Sequence, residues 1–334
     1  VTTIAPRRIS LGTFPTPVEP LPRLAAAVGL QPDDLWIKRD DLTGLGGGGN
    51  KIRKLEWTVG AALAEGADTL VTTGAPQSNH ARLTAAAAAR SGLDAVLVFP
   101  AFPGTSHSGN LVLDGLMGAH VVWAGNVDAS HLAREAAAVT EQLRRQGKRP
   151  ALIPFGGSST LAARGYLRCA EELKAQVPHL RHTVVALGSG GTMAGLVAGL
   201  GAHRVLGVDT GALAEVAAAV REFAAPLSPT SATDLTADML RICHDHIGEG
   251  YGAFTDEVAA ALSLAARTEG LILDPTYTGR AMAGLVSAVR SADIKPGEKT
   301  VFIHTGGLPG LFGHPDAVRF AEERVTAHQR PASP

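Results

Sequence analysis

The sequence predicts an α/β protein in which parallel sheets, flanked by helices, are divided between two lobes. Three observations carry this expectation. From residue 50 onward, short apolar runs rich in Val, Leu, Ile and Thr alternate with longer stretches of helical periodicity, the pattern of parallel strands joined by crossover helices. The chain has 334 residues, 45% of them hydrophobic, which is enough for two domains or one large α/β unit. Several apolar runs end in glycine-rich or polar turns that open a helix, where open sheets of this class bind ligands.

The elements follow in order. Turns around Pro15, Pro17, Pro20 and Pro22 precede a strand at Leu35-Trp36-Ile37-Lys38. A helix over 50–65 leads to strand Thr69-Leu70-Val71-Thr72-Thr73, helix 79–91 and strand Ala95-Val96-Leu97-Val98-Phe99. Helix 109–117, strand His120-Val121-Val122-Trp123, helix 129–147 and strand Ala151-Leu152-Ile153-Pro154-Phe155 continue the alternation. The second half repeats it: helix 160–176, strand Thr183-Val184-Val185-Ala186-Leu187, helix 192–200, strand Arg204-Val205-Leu206-Gly207-Val208 and helix 212–223. Residues 225–237, rich in Pro, Ser and Thr, read as a surface connection. Helices 255–268 and 278–290 precede a last strand at 300–304.

Composition excludes several function classes. A formal net charge of −1 and the absence of a basic run argue against nucleic acid as a partner. Cys169 and Cys243 give neither a disulfide framework nor a zinc pattern. Residues 1–8 carry no apolar leader-like run and no segment is long enough to span a bilayer, so the expectation is a soluble, cytoplasmic protein with no membrane partner.

The chemistry concentrates in a few stretches. Gly46-Gly47-Gly48-Gly49-Asn50-Lys51 places four glycines before Asn50, a preferred N-cap, at the start of a helix whose apolar stripe is Ile52, Leu55, Val59, Ala62 and Leu63. At ~100° per residue, Lys51 falls about 70° from the stripe's centre and Lys54 about 130°, so Lys51 borders the core and Lys54 is expected to face water. A lysine near a core and the positive end of a helix has its pKa lowered, as imine chemistry requires. Gly188-Ser189-Gly190-Gly191-Thr192 follows an apolar strand and opens a helix, an anion site suited to a small phosphate. Met193 stands where a dinucleotide fingerprint has its third glycine. Ser78, in Gln77-Ser78-Asn79-His80, caps a second helix whose first N–H groups suit a carboxylate. Tyr251 and Tyr277 are candidates for moving a proton, although a packed, hydrogen-bonded phenol is the commoner use. Cys243-His244-Asp245-His246 lacks a second half and gives no metal expectation, and Asp40-Asp41 reads as a turn pairing with Arg39.

Together with Gly156-Gly157-Ser158-Ser159, Asp274-Pro275-Thr276-Tyr277-Thr278-Gly279 and His304-Thr305-Gly306-Gly307, these stretches resemble the D-cysteine desulfhydrase and 1-aminocyclopropane-1-carboxylate deaminase family over about residues 10–320. The resemblance implies a pyridoxal 5′-phosphate (PLP) enzyme of the two-lobed, tryptophan-synthase-β-like fold type II. It divides the chain into a small lobe, 50–160, and a large lobe made of 1–49 plus 161–334. It implies that Lys51, beside Asn50, binds PLP covalently, that Asn79 bonds its phenolic oxygen, and that Gly188, Ser189, Gly190, Gly191 and Thr192 hold its phosphate. Thr278 and Thr305 fall at the cofactor ring, and Ser78, Asn79, His80 and Ser158 at the substrate. Tyr251 and Tyr277 flank the reacting centre, and the usual assembly is a homodimer.

The family's deaminases carry Glu and Leu where this chain has Thr278 and Thr305, and Gln in place of His80; its desulfhydrases resemble this chain at those positions. The implied activity is therefore β-elimination of a small β-substituted amino acid, D-cysteine first, giving pyruvate, ammonia and hydrogen sulfide. L-cysteate sulfo-lyase and aminocyclopropane-carboxylate deaminase activities are the alternatives, and a PLP-binding regulatory protein is the non-enzyme alternative. A nicotinamide oxidoreductase is disfavoured by Met193.

Overall fold

The computed structural model describes residues 8–101, 107–228 and 235–327. Ten strands are found among them: β1 (Val18–Pro20), β2 (Leu35–Lys38), β3 (Thr69–Thr73), β4 (Asp94–Phe99), β5 (His120–Trp123), β6 (Pro150–Leu152), β7 (His182–Leu187), β8 (Val205–Asp209), β9 (Arg241–Cys243) and β10 (Thr300–Ile303). They form a six-stranded sheet in the order β1-β2-β10-β7-β8-β9 and a four-stranded sheet in the order β5-β4-β3-β6. Every pairing is parallel except β1 with β2.

The register explains why the central strands read as unbroken apolar runs. Val184 lies opposite Leu206 on one side and Phe302 on the other, and Leu97 lies opposite Thr72 and Val121. Helices cover both faces, so every residue of β3 and β10 is buried and no polar alternation is needed. Separate cores form on the two faces of the larger sheet, one around Tyr166, Met193 and Val301 and one around Leu35, Leu285 and Phe302. Met193 is therefore a core residue. The smaller sheet packs on a third core around Ile52, Leu83 and Phe99.

Three expectations are corrected. The helix Lys51–Ala64 has no single buried stripe: Arg53, Lys54, Glu56 and Thr58 are buried along with Ile52, Leu55 and Val59. It is enclosed because the helix Thr160–Gln176 lies against its polar side, so closely that a Cβ on Gly165 would come within 2.2 Å of the Arg53 carbonyl oxygen. Lys54 therefore does not face water. Asp40 is not an exposed turn residue; it is fully buried and accepts from Arg53 at 2.8 Å, while Asp41 pairs with Arg39 as expected.

The remaining differences lie at element ends and in short pieces. The helix expected over 212–223 runs Val216–Ala224, and the helix Pro315–Ala327 was not anticipated. Of the surface connection 225–237, residues 229–234 lie outside the described residues, as do residues 1–7. No helix among the described residues is long and apolar enough to cross a membrane.

Candidate active site

A cavity of about 270 Å³ opens where the carboxyl ends of β3, β6, β7 and β10 converge on the start of the helix Lys51–Ala64. Lys51 is delivered to it by the glycine run. Gly48 has φ 71° and a Cβ there would lie 2.0 Å from the Asp41 carbonyl oxygen, so only glycine fits. Arg82, fully buried, donates to the carbonyls of Gly46 and Gly48 and holds the loop in place.

Asn50 does not cap the helix. It is itself helical, at φ −55° and ψ −26°, and makes no side-chain cap bond. Its side chain ties two parts of the site together instead, donating to the Thr192 hydroxyl at 3.0 Å and accepting from Lys51 Nζ at 3.2 Å. Its own N–H donates to the Thr305 carbonyl. Burial lowers the Lys51 pKa to about 8, with Asp274 opposing and Arg82 adding to the shift.

Lys54 enters the same cavity one turn later. Its Nζ donates to Ser158 Oγ at 3.0 Å and to the Gly156 carbonyl at 3.4 Å, and no carboxylate pairs with it among the described residues. Burial, with Lys51 nearby, holds its pKa well below the usual lysine range. Ser158 stands just behind the cavity wall as a hub, 2.8 Å from Ser189 Oγ and accepting from the Gly191 N–H. Gly188, Ser189, Gly190 and Thr192 line the cavity at the head of the helix Gly191–Leu200, with Gly191 just behind them. A Cβ on Gly191 would sit 2.7 Å from Ser158 Oγ and 3.1 Å from Lys54 Nζ. The loop thus presents helix N–H groups beside an uncompensated lysine, a setting for an anion.

On the opposite side, Ser78 caps the helix Asn79–Ser91 by accepting from the Ala81 N–H, leaving its hydroxyl hydrogen available at the cavity. Asn79 and His80 line the wall beside it. Thr72 donates its single hydroxyl hydrogen to the Ile153 carbonyl, so His80 Nε2, 2.9 Å from Thr72 Oγ1, must carry the proton it shares with Thr72. Burial and the two lysines push the His80 pKa well down, so the ring is a neutral wall.

Tyr277 and Tyr251 complete the enclosure with their hydroxyls 2.7 Å apart. The Tyr277 ring centre lies 5.9 Å from Lys51 Nζ. Burial and the neighbouring phenol hold Tyr277 well above the ordinary phenol range, while Tyr251 stands at the mouth with 40% of its surface exposed. Asp274 builds the turn that aims Tyr277, accepting from the N–H groups of Thr276, Tyr277 and Thr278. Thr278 does not line the cavity: its hydroxyl donates to Asp274 at 2.7 Å. Thr305 does line it. Among the described residues no group could hold a metal; His244, in the Cys-His-Asp-His stretch, pairs with Asp209 at 2.8 Å.

Sequence reasoning missed Lys54, Asp274 and Arg82. Asp274 sits inside a motif that signals the site and Arg82 lies two residues beyond another, whereas Lys54 falls on the side of the helical wheel expected to be wet.

The profile of the pyridoxal-phosphate dependent enzyme family matches residues 9–306, and the chain belongs to that family. A provisionally named 1-aminocyclopropane-1-carboxylate deaminase of Pyrococcus horikoshii is 40% identical, covering 92% of this chain and 94% of its own. A D-cysteine desulfhydrase of Salmonella schwarzengrund is 41% identical over 92% of this chain and 96% of its own. The crystal structure of an aminocyclopropane-carboxylate (ACC) deaminase homologue superposes with a TM-score of 0.84 at 38% identity, covering 94% of this chain and 96% of that one. The protein is thus a PLP-dependent enzyme of fold type II, in the group of the D-cysteine desulfhydrases and ACC deaminases. The residues fit the cofactor: one buried amine of lowered pKa, a second without a carboxylate partner, and a glycine-rich helix start share one cavity.

Proposed function

We propose that the enzyme removes the β-substituent of a small amino acid, D-cysteine first, giving pyruvate, ammonia and hydrogen sulfide with the uptake of one water. The observation that carries this reading is the placement of the Lys51 amine, with a pKa of about 8, on the same cavity as the Tyr251–Tyr277 pair. PLP would be held by Lys51, by Asn79, by Thr305 and by the loop from Gly188 to Thr192, with Lys54 and Ser158 facing the phosphate. When bound it supplies an electron sink for negative charge at the substrate's α-carbon.

The chain's own residues do the rest. The Ser78 hydroxyl and the leading N–H groups of the helix Asn79–Ser91 orient the substrate carboxylate. The Lys51 amine is the group that would take the substrate's α-proton. The tyrosine pair, the second phenol orienting the first, donates to the departing β-substituent. Neither Thr278 nor Thr305 brings a carboxylate to the cofactor ring, which favours prompt departure of a good leaving group over ring opening. The Salmonella relative's name points the same way. The names of the Pyrococcus relative and of the crystallised homologue favour ring opening of aminocyclopropane carboxylate as a second reading. A homodimer in the cytoplasm is part of the proposal, tested by light scattering on the purified protein.

The deciding assay incubates the PLP-loaded enzyme with D-cysteine, L-cysteate and aminocyclopropane carboxylate in turn. Pyruvate with sulfide from D-cysteine is the expected result. Pyruvate with sulfite from L-cysteate alone, or 2-oxobutyrate from the cyclopropane alone, would refute the substrate assignment. Absence of turnover on all three by a yellow, PLP-loaded protein would favour a regulatory role.

A further inference from the structure

Beside the cavity, Gln77 and Asn110, neither given a role so far, form a side-chain amide array that reaches Asn79. Asn110, fully buried at the start of the helix Asn110–Leu116, receives its backbone position from Gln77: its N–H donates to Gln77 Oε1 at 2.9 Å. Asn110 Nδ2 donates to the Gln77 backbone carbonyl at 2.9 Å. A backbone carbonyl can only accept, so the atom facing it must be the NH2 nitrogen, and the Asn110 amide has one possible orientation. The other hydrogen of the same NH2 group points at Asn79 Oδ1, 3.1 Å away. That contact requires the Asn79 oxygen to face Asn110, which turns the Asn79 NH2 group the other way. Asn79 lines the cavity, and its NH2 group has no partner among the described residues.

The array has little freedom to rearrange. Cβ atoms on Gly109 and Gly313 would lie 2.5 and 2.1 Å from Gln77 Oε1, so the backbone packs directly on the Gln77 amide. A Cβ on Gly310 would lie 3.6 Å from Asn110 Nδ2 and 3.8 Å from Asn79 Oδ1. An amide that could flip would offer an oxygen or a nitrogen to a ligand; one fixed by a backbone carbonyl two bonds back offers only one.

We propose that Asn110 is a positioning residue: it fixes the Asn79 amide with its NH2 group toward the cavity and makes Asn79 an obligatory donor to the anionic ring oxygen of PLP. This rests on the cofactor placement given under Proposed function. Asn110 acts through Asn79 and needs no contact with PLP of its own.

A double-mutant cycle tests it on the full chain titrated with PLP and followed by visible absorption. Asn79→Ala and Asn110→Ala should each weaken PLP binding by about tenfold, the scale of one charge-assisted hydrogen bond. The double variant should be no weaker than the worse single one, because the second change removes an interaction already lost. Both single variants should also move the pH at which the visible band of the loaded protein changes to higher values, since a phenolate without its donor takes up a proton more easily. Additive losses, about a hundredfold in the double variant, or an unshifted band in the Asn110 variant, overturn the proposal. If Asn110→Ala does not fold, Asn110→Ser carries the same cycle, with thermal unfolding of the PLP-free protein as the control for a structural role. A wild type that binds no PLP overturns the cofactor placement itself; a wild type that binds it with Asn110 variants unchanged overturns this inference alone.

Discussion

Lys54→Met should have opposite effects on the cofactor-free and cofactor-loaded protein. In the cofactor-free protein the lysine is a liability. Its Nζ has two neutral acceptors, Ser158 Oγ at 3.0 Å and the Gly156 carbonyl at 3.4 Å, and no carboxylate partner among the described residues. Its pKa is held well below the usual lysine range, by burial first and by Lys51 second. At pH 7 the unfolded chain therefore binds a proton that the folded chain binds less tightly. Stability consequently rises with pH through the window between the depressed folded value and the ordinary unfolded value near 10.5. Met keeps the stem's packing and removes the titration. The PLP-free variant should be more stable than wild type at pH 7, and its stability should climb less between pH 7 and 10.

PLP binding should move the other way. A charged hydrogen bond to phosphate contributes about 1.5–3 kcal/mol, so Lys54→Met should weaken PLP binding by roughly tenfold to a hundredfold. Urea unfolding of the PLP-free protein at several pH values gives one half of the result and spectroscopic PLP titration the other. Unchanged PLP affinity with a less stable PLP-free protein would show that Lys54 is only a structural donor, and the phosphate-facing role would be refuted.

Three further outcomes follow from the same geometry. The reaction of Lys51 with a small amine-directed reagent in the PLP-free protein should rise with a midpoint near pH 8. Arg82→Met should move that midpoint up, since Arg82 adds to the lowering; a wild-type midpoint near 10.5 would refute the buried-amine reading. Tyr277→Phe should cut kcat by about two to four orders of magnitude while leaving PLP affinity nearly unchanged. Equal losses in PLP affinity would mean that the phenol holds the cofactor and does not serve the chemistry. Asp40→Asn, which leaves the buried Arg53 guanidinium without that carboxylate, should destabilise the fold by about 3–5 kcal/mol in urea unfolding. A change under about 1 kcal/mol would show that Glu172 alone compensates Arg53.

The parallel core and the ligand end of the sheets were legible because strands buried on both faces must be continuously apolar, and the chain must leave them through turns. Hence β3, β7, β8 and β10, and the cavity motifs after β3, β7 and β10, stand out in the sequence. The strands β1 and β9 did not: each is only three residues long and carries Pro or Arg at the edge of its sheet. Asn50 looked like a cap because its residue type favours one, but its side chain is drawn to Thr192, 142 residues later. Lys54 was lost for a related reason. A helical wheel knows one buried face, and the helix Lys51–Ala64 has none that is wet along its first two turns, where residues 52–56 are all buried. Asn110 carries no periodic or motif signal at all, since its role depends on a carbonyl at Gln77 and an amide at Asn79 brought to it by folding.

The enclosure of that helix also explains its charge pattern. Arg53 and Lys54 are neighbours in sequence and both are buried, yet their surroundings are opposite. Arg53 points into a closed network in which two cations, Lys38 and Arg53, meet two carboxylates, Asp40 and Glu172, at 2.7–2.8 Å. That side is balanced within the chain and fixes the helix against Thr160–Gln176. On the cavity side Lys51, Lys54 and Arg82 gather with Asp274 and Asp114 as their nearest acidic neighbours. Asp274 is turned to its own backbone N–H groups, while burial raises the Asp114 pKa to about 7. The balance there is incomplete without an anion from outside. A cofactor carrying a phosphate and an anionic ring oxygen supplies that charge where the chain omits it. Binding then stabilises the folded state by mass action, so holding the helix and holding the cofactor are two halves of one electrostatic design.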